Sequence, residues 1–221
     1  MNVVLFGASG MIGQGVLREC LLDPDVTSVL AVGRSSTGQQ YPKLREIVQK
    51  NLFDYSAIED RLTGLDACFF CLGVSSAGMS ETDYRRVTYD LTIAAAETLA
   101  RLNPNMVFVF VSGAGTDSSE KGRSMWARVK GQTENALLRM PFRAAYMFRP
   151  GAIVPLHGIK SKTRVYQLAY TLIGPILPWL ERRWPDQITT TEKLGRAMLK
   201  AARDGAPKKI LETRDIATLA G

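Results

Sequence analysis

The chain has 221 residues, 46% of them apolar, and a formal net charge of +7. That size supports one sizeable core and one domain with a small appendage, and no apolar run approaches the roughly 18 residues a membrane helix needs. Three cysteines, Cys20, Cys68 and Cys71, make no disulfide framework. The N-terminus enters a strand at once, which leaves no room for a signal peptide, and a reducing cytoplasmic setting is expected.

The charge is unevenly placed. Residues 1–150 carry 16 Lys and Arg against 15 Asp and Glu, whereas residues 151–221 carry 12 against 6. A solvated basic face is the ordinary reading; an anionic substrate, an acidic partner or a membrane surface are the alternatives. Basic residues are not interleaved with a regular aromatic series, so no nucleic-acid partner is expected.

Val3-Val4-Leu5-Phe6 opens the chain as a strand. Gly7-Ala8-Ser9-Gly10-Met11-Ile12-Gly13 follows, and then a helix to about Leu22. A strand, a glycine turn and a helix start make a phosphate cradle. The glycines let the backbone approach a pyrophosphate, and the first helical N–H groups point at the anion. Gly7, Ser9, Gly10, Met11, Ile12 and Gly13 are therefore candidate dinucleotide contacts. The Lys-Ser/Thr pair of an ATP-binding P-loop is missing.

Asp23-Pro24-Asp25 stops the helix, because Pro24 disfavours helical geometry at Asp23. Ser28 to Val32 reads as the second strand, ending at Gly33-Arg34-Ser35-Ser36. No acid stands at that strand end to accept bonds from ribose hydroxyls. Arg34 with Ser35 suits a 2′-phosphate instead, so NADP(H) is expected over NAD(H).

Residues 46–53 predict a third strand, with Asp54 beyond it on the adenine side. Leu65 to Leu72 predicts the fourth. Its Cys68-Phe-Phe-Cys71 has metal-like spacing, but strand residues three apart face opposite sides, so both thiols read as buried strand residues. Cys71, Leu72 and Gly73 then lead into a loop that passes the cofactor. Ser80 caps a long helix to Leu102. Met106 to Val111 is a buried fifth strand ending at Ser112-Gly113-Ala114-Gly115. A helix from about Ser124 to Arg139 and a sixth strand, Ala144 to Phe148, lead to Arg149-Pro150-Gly151.

The tail departs from this alternation. Ile159 to Arg183 is rich in apolar and aromatic residues broken by Gly174-Pro175 and Pro178. It reads as packing over the cleft or against a second copy in a homodimer; peripheral membrane contact by residues 165–184 is the minority reading. Thr189-x-x-Glu192 predicts a capping box for a helix to about Arg203, and Lys208 to Glu212 an edge strand. No His/Cys/Asp cluster predicts a metal site. His157, the only histidine, stands in a loop beyond Gly151, where a structural or solvated role is the ordinary reading.

Gly7-x-x-Gly10-x-x-Gly13, Cys71-Leu72-Gly73, Ser112, Lys130 and Arg149-Pro150-Gly151 together resemble the short-chain dehydrogenase/reductase superfamily, in its extended and atypical branches. The runs Tyr84 to Asp90 and Val129-Lys130-Gly131 are most similar to its Tat-interacting-protein-like oxidoreductases. The resemblance implies a doubly wound α/β Rossmann fold with a parallel sheet. Residues 1–150 would form the NADP(H)-binding core. Residues 151–221 would form a small helical substrate cap in the same domain, with a closing helix and an edge strand. It implies cofactor contacts at Lys130, Pro150 and Gly151, and a small carbonyl or alcohol substrate.

In that superfamily a Tyr-x-x-x-Lys helix does the chemistry, with a Ser holding the substrate oxygen. The Lys binds the nicotinamide ribose and lowers the tyrosine pKa from about 10. Ser112 and Lys130 match these roles, but Trp126 stands where the tyrosine belongs, and an indole does not titrate usefully. Val87-Thr88-Tyr89 likewise replaces the usual helix asparagine. Three accounts stay open: a reductase using Ser112, Tyr84, Tyr89 or a Lys130-held water; a cofactor-binding regulatory protein without turnover; or a tyrosine supplied by Tyr166 or Tyr170.

Overall fold

The computed structural model describes residues 1–159 and 187–221. Seven strands form one parallel sheet in the order β3-β2-β1-β4-β5-β6-β9. They are β1 (Asn2–Phe6), β2 (Ser28–Gly33), β3 (Leu44–Val48), β4 (Ala67–Phe70), β5 (Val107–Val111), β6 (Ala144–Arg149) and β9 (Ile210–Glu212). A separate parallel pair joins β7 (Ala152–Val154) to β8 (Ile188–Thr190). The order reverses between β1 and β4, and that reversal opens the crevice at the strands' carboxyl ends.

Strand periodicity divides the core into two layers. Val3, Leu5, Val29, Phe69, Val109 and Phe148 face α1 (Met11–Leu22) and two later helices, α5 (Thr191–Asp204) and α6 (Thr213–Ala220). Val4, Phe6, Leu30, Phe70, Phe108 and Met147 face α3 (Leu91–Leu102) and α4 (Met125–Leu138). Apolar runs with no polar side are what a parallel sheet covered on both faces requires. Phe6 stacks on Phe70 at 5.1 Å and Phe70 on Phe108 at 5.9 Å, which adds aromatic contact to the burial.

The doubly wound fold agrees with expectation, and so do the bounds of α1. Four local readings change. The third strand starts earlier and ends at Val48, where Gln49 N–H bonds the Gly33 carbonyl and the chain turns. Leu52 is then buried from a turn rather than from a strand, and Tyr55 from the loop residue that caps a short 3₁₀ helix, Ser56–Leu62. The long helix after Ser80 is interrupted: α2 (Glu81–Arg85) passes through a π-helical turn, Arg86–Asp90, before α3. The Ser80 cap itself is present, accepting the Asp83 N–H at 3.1 Å.

The α5 cap shifts by one residue. Thr190, not Thr189, accepts the Lys193 N–H, at 3.0 Å. Thr189 lies inside β8, and the Glu192 carboxylate bonds His157 at 2.6 Å instead. The expected edge strand forms as β9, paired in parallel with β6, and α6 closes the chain behind it. Most of the apolar 159–183 stretch, with Tyr166 and Tyr170 and the 165–184 surface, lies outside the described residues.

Candidate functional site

The glycine turn follows β1 directly. Gly7 has φ of +82°, which a side chain would strain, and its missing Cβ would stand 2.7 Å from the Cys71 carbonyl carbon. The turn therefore presses against the end of β4. A Cβ on Gly13 would overlap the Gly7 carbonyl oxygen, so the first turn of α1 sits down on the same loop. Gly10 is the α1 N-cap, and no side chain caps the helix among the described residues. The first turn carries no acid either. This close, uncapped and acid-free helix start fits a pyrophosphate.

A cleft joins this cradle to the end of β2. Gly7, Ala8 and Ser9 line one side, with Arg34, Ser35 and Thr37 opposite and Leu72 at the β4 end. Arg34 is exposed and makes no hydrogen bond or ion pair among the described residues. The predicted Gly7, Ser9, Arg34, Ser35 and Leu72 thus meet in one place. Sequence reasoning missed Glu46, which reaches the same cleft from the neighbouring strand β3.

Other predicted contacts fall elsewhere. The Asp54 carboxylate does not line the cleft; it accepts the Ser56 N–H at 3.0 Å just ahead of the 3₁₀ helix, which holds it below the usual carboxylate range. Met11 and Ile12 pack half-buried against the α1-side core, and Gly73 has open space around it. Cys71 packs toward α1 while Cys68 packs on the opposite layer, so the two thiols diverge as strand geometry requires. Burial pushes both thiols above their ordinary range. The Pro150 carbonyl accepts the Ala114 N–H at 2.9 Å, and the Gly151 N–H donates to Thr213 at 2.9 Å. Pro150 thus ties the loops after β5 and β6 together, and Gly151 ties the latter to the start of α6.

A second cluster forms around Ser112 at the end of β5. The Ser112 hydroxyl donates to the Glu134 carboxylate at 2.5 Å and lies 3.1 Å from the Phe148 carbonyl oxygen. The Lys130 ammonium donates to the Ser112 carbonyl oxygen. One turn further along α4, Glu134 is fully buried and paired with the Arg149 guanidinium. Arg149 also donates to Ser118 at 2.6 Å and meets Glu212 at 3.3 Å. Its pKa is raised: burial works against the charge, and Glu134 outweighs it.

The fold therefore brings Ser112 and Lys130 together, but through the serine's backbone. The hydroxyl that the resemblance assigns to a substrate oxygen is already committed to Glu134. Desolvation lowers the Lys130 pKa from 10.5 to about 8, with Glu134 opposing the shift. The ammonium and amine forms therefore both exist near neutral pH. Gly131 lets α4 come this close, because a Cβ there would overlap the Asp117 carbonyl oxygen.

Trp126 occupies the first turn of α4, half-buried, its ring 3.4 Å from where a Gly115 Cβ would stand. It walls the loop after β5 and offers no titrating group. Tyr84 is buried, and burial raises its pKa, which disfavours proton release. Tyr89 lies under the Arg85 guanidinium at 4.1 Å. His157 has φ of 56° and fastens its turn to α5 through Glu192.

The comparisons with known proteins agree with this geometry. A model described as the NAD dependent epimerase/dehydratase family matches residues 3–128, more than half of the chain. The chain belongs to that family. Among curated relatives, "Protein fmp52, mitochondrial" of Emericella nidulans is 28% identical over 211 residues, covering 90% of this chain and 86% of that protein. "Protein HTATIP2" of Rattus norvegicus is 26% identical over 156 residues, covering 69% and 63%. A solved UDP-glucose 4-epimerase superposes with a TM-score of 0.71 at 16% identity, covering 99% of this chain and 80% of that one, a likeness of fold alone.

These relatives overturn the cytoplasmic expectation. Several further fungal relatives also bear mitochondrial fmp52 names. Three unpaired cysteines do not separate one reducing compartment from another, so the cysteine argument had no power here. Among the described residues, no helix is long and apolar enough to cross a membrane.

Proposed function

We propose that this epimerase/dehydratase-family protein is an NADP(H)-dependent atypical oxidoreductase acting on a small carbonyl or alcohol. Lys130 carries the reading: it is held at the end of β5 by the Ser112 carbonyl, with a pKa brought down to about 8. Bound cofactor supplies or accepts the hydride. The uncapped start of α1 and the Gly7 turn would hold its pyrophosphate. Arg34 and Ser35 would hold a 2′-phosphate.

The chain's own groups do the rest. Lys130 holds a ribose hydroxyl in its charged form and is the titrating group in the site best matched to neutral pH, so it supplies the proton directly or through a water. Glu134 and Arg149 keep the Ser112 carbonyl in place beneath it. Trp126 shields that region and selects against bulky or strongly polar substrates.

A panel of small aldehydes and ketones with NADPH, followed by loss of nicotinamide absorbance, tests the reading. Turnover that disappears in Lys130→Ala supports it; turnover that survives in Lys130→Ala contradicts it. Trp126 favours one rival, a regulatory protein that binds cofactor without turnover. That rival predicts NADPH binding and ligand-dependent partner capture with no oxidation by any panel member.

A further inference from the structure

In the cleft between the glycine turn and the β2 end, an exposed arginine without a partner among the described residues shares a wall with an acid. Arg34 leads the loop after β2. Glu46 enters from β3, paired in register with Ala31, and lies half-buried behind that loop. Its carboxylate accepts the Ser36 hydroxyl at 2.5 Å and the Thr37 N–H at 2.7 Å. Ser36 Oγ in turn accepts the Gly38 N–H at 3.0 Å, so the loop is folded around the acid.

Donors converging on one anion are what a phosphate seat looks like. A backbone N–H, a hydroxyl and a nearby guanidinium are the groups that bind phosphomonoesters. Here a carboxylate already occupies two of the three. Burial works against the charge, and those hydrogen bonds outweigh it and hold Glu46 below the ordinary carboxylate range.

We infer that Glu46 is a specificity-determining residue that acts as a built-in anion in the 2′-phosphate seat and restrains the preference for NADP(H) conferred by Arg34. This rests on the dinucleotide reading proposed above. A 2′-phosphate arriving at Arg34 finds the Ser36 and Thr37 donors taken and meets a like charge on the same wall. A 2′-hydroxyl meets neither obstacle. Two features of opposite sign thus set cofactor choice: Arg34 favours the phosphate and Glu46 opposes it. Discrimination in the native chain is correspondingly narrow.

The test is a set of calorimetric titrations of the wild type, Glu46→Gln and Glu46→Ser with NADP⁺ and with NAD⁺, each protein first shown folded by its thermal transition. Two variants of different size separate loss of charge from a packing defect. Removing the charge is expected to tighten NADP⁺ about tenfold, equivalent to about 1.4 kcal/mol, with NAD⁺ affinity unchanged. An unchanged NADP⁺/NAD⁺ ratio in both folded variants, or a shift toward NAD⁺, overturns the inference while leaving dinucleotide binding intact. Failure of every protein, wild type included, to bind either cofactor overturns the dinucleotide reading and this inference with it.

Discussion

The two ends of the crevice are built on opposite principles. At the β2 end, Arg34, Ser35 and Ser36 are exposed, and Arg34 keeps its charge without a partner among the described residues. At the β5 end, Ser112, Glu134 and Arg149 are buried and bonded to one another, and the Lys130 ammonium is fixed to a carbonyl. The first arrangement leaves charge available to an incoming group. The second spends its polar groups internally to fix one side chain. A binding wall can be adjusted by single surface changes, whereas a positioning network fails as a unit.

That contrast predicts the largest loss at Glu134. Glu134→Ala leaves the Arg149 guanidinium charged in a buried site, and chemical denaturation is expected to show a loss of about 3–5 kcal/mol. The double variant Glu134→Met with Arg149→Met removes both charges and is expected to recover most of that loss. A double variant as costly as the sum of Glu134→Met and Arg149→Met measured singly would mean that the pair is not coupled.

Gly7→Ala comes next. It forces a Cβ into a backbone of φ +82° against Cys71, with an expected cost of about 1–3 kcal/mol and loss of dinucleotide binding. Lys130 adds a pH signature. The folded chain releases this proton near pH 8 and the unfolded chain near 10.5. Between those values the unfolded state binds more protons, so stability rises with pH there. Lys130→Met is expected to flatten that rise in a series of denaturation curves. Smallest in stability is Arg34→Ala, expected to stay within about 0.5 kcal/mol because the side chain is exposed, while the NADP⁺/NAD⁺ affinity ratio falls.

Local signals were legible in the sequence where neighbours along the chain decide the outcome. The Gly7 turn, the bounds of α1, the opposed faces of Cys68 and Cys71 and the Ser80 cap all rest on short-range geometry. The parallel sheet followed from alternating strands and helices. What escaped depends on residues far apart in sequence. Glu46 reaches the Arg34 loop only because β3 pairs beside β2. Glu134 finds Ser112 and Arg149 across three elements, and nothing in the run Gly131 to Leu138 marks it as buried. The α5 cap moved because β8 runs on through Thr190 and the helix starts only at Thr191, a boundary set by the pairing with β7 that no local pattern announces. Ser112 stands at the end of β5 as the strand pattern implied, but its hydroxyl faces Glu134, a partner that the sequence does not reveal.

If Lys130 helps to hold a nicotinamide dinucleotide in this crevice, nicotinamide fluorescence on NADPH titration shows it most directly. The wild type is expected to bind saturably, and Lys130→Ala, with an unchanged far-ultraviolet dichroism spectrum, to bind at least about tenfold more weakly, the effect of losing roughly one charge-assisted hydrogen bond. Equal affinity in the two proteins, or no saturable binding by the wild type, would contradict it.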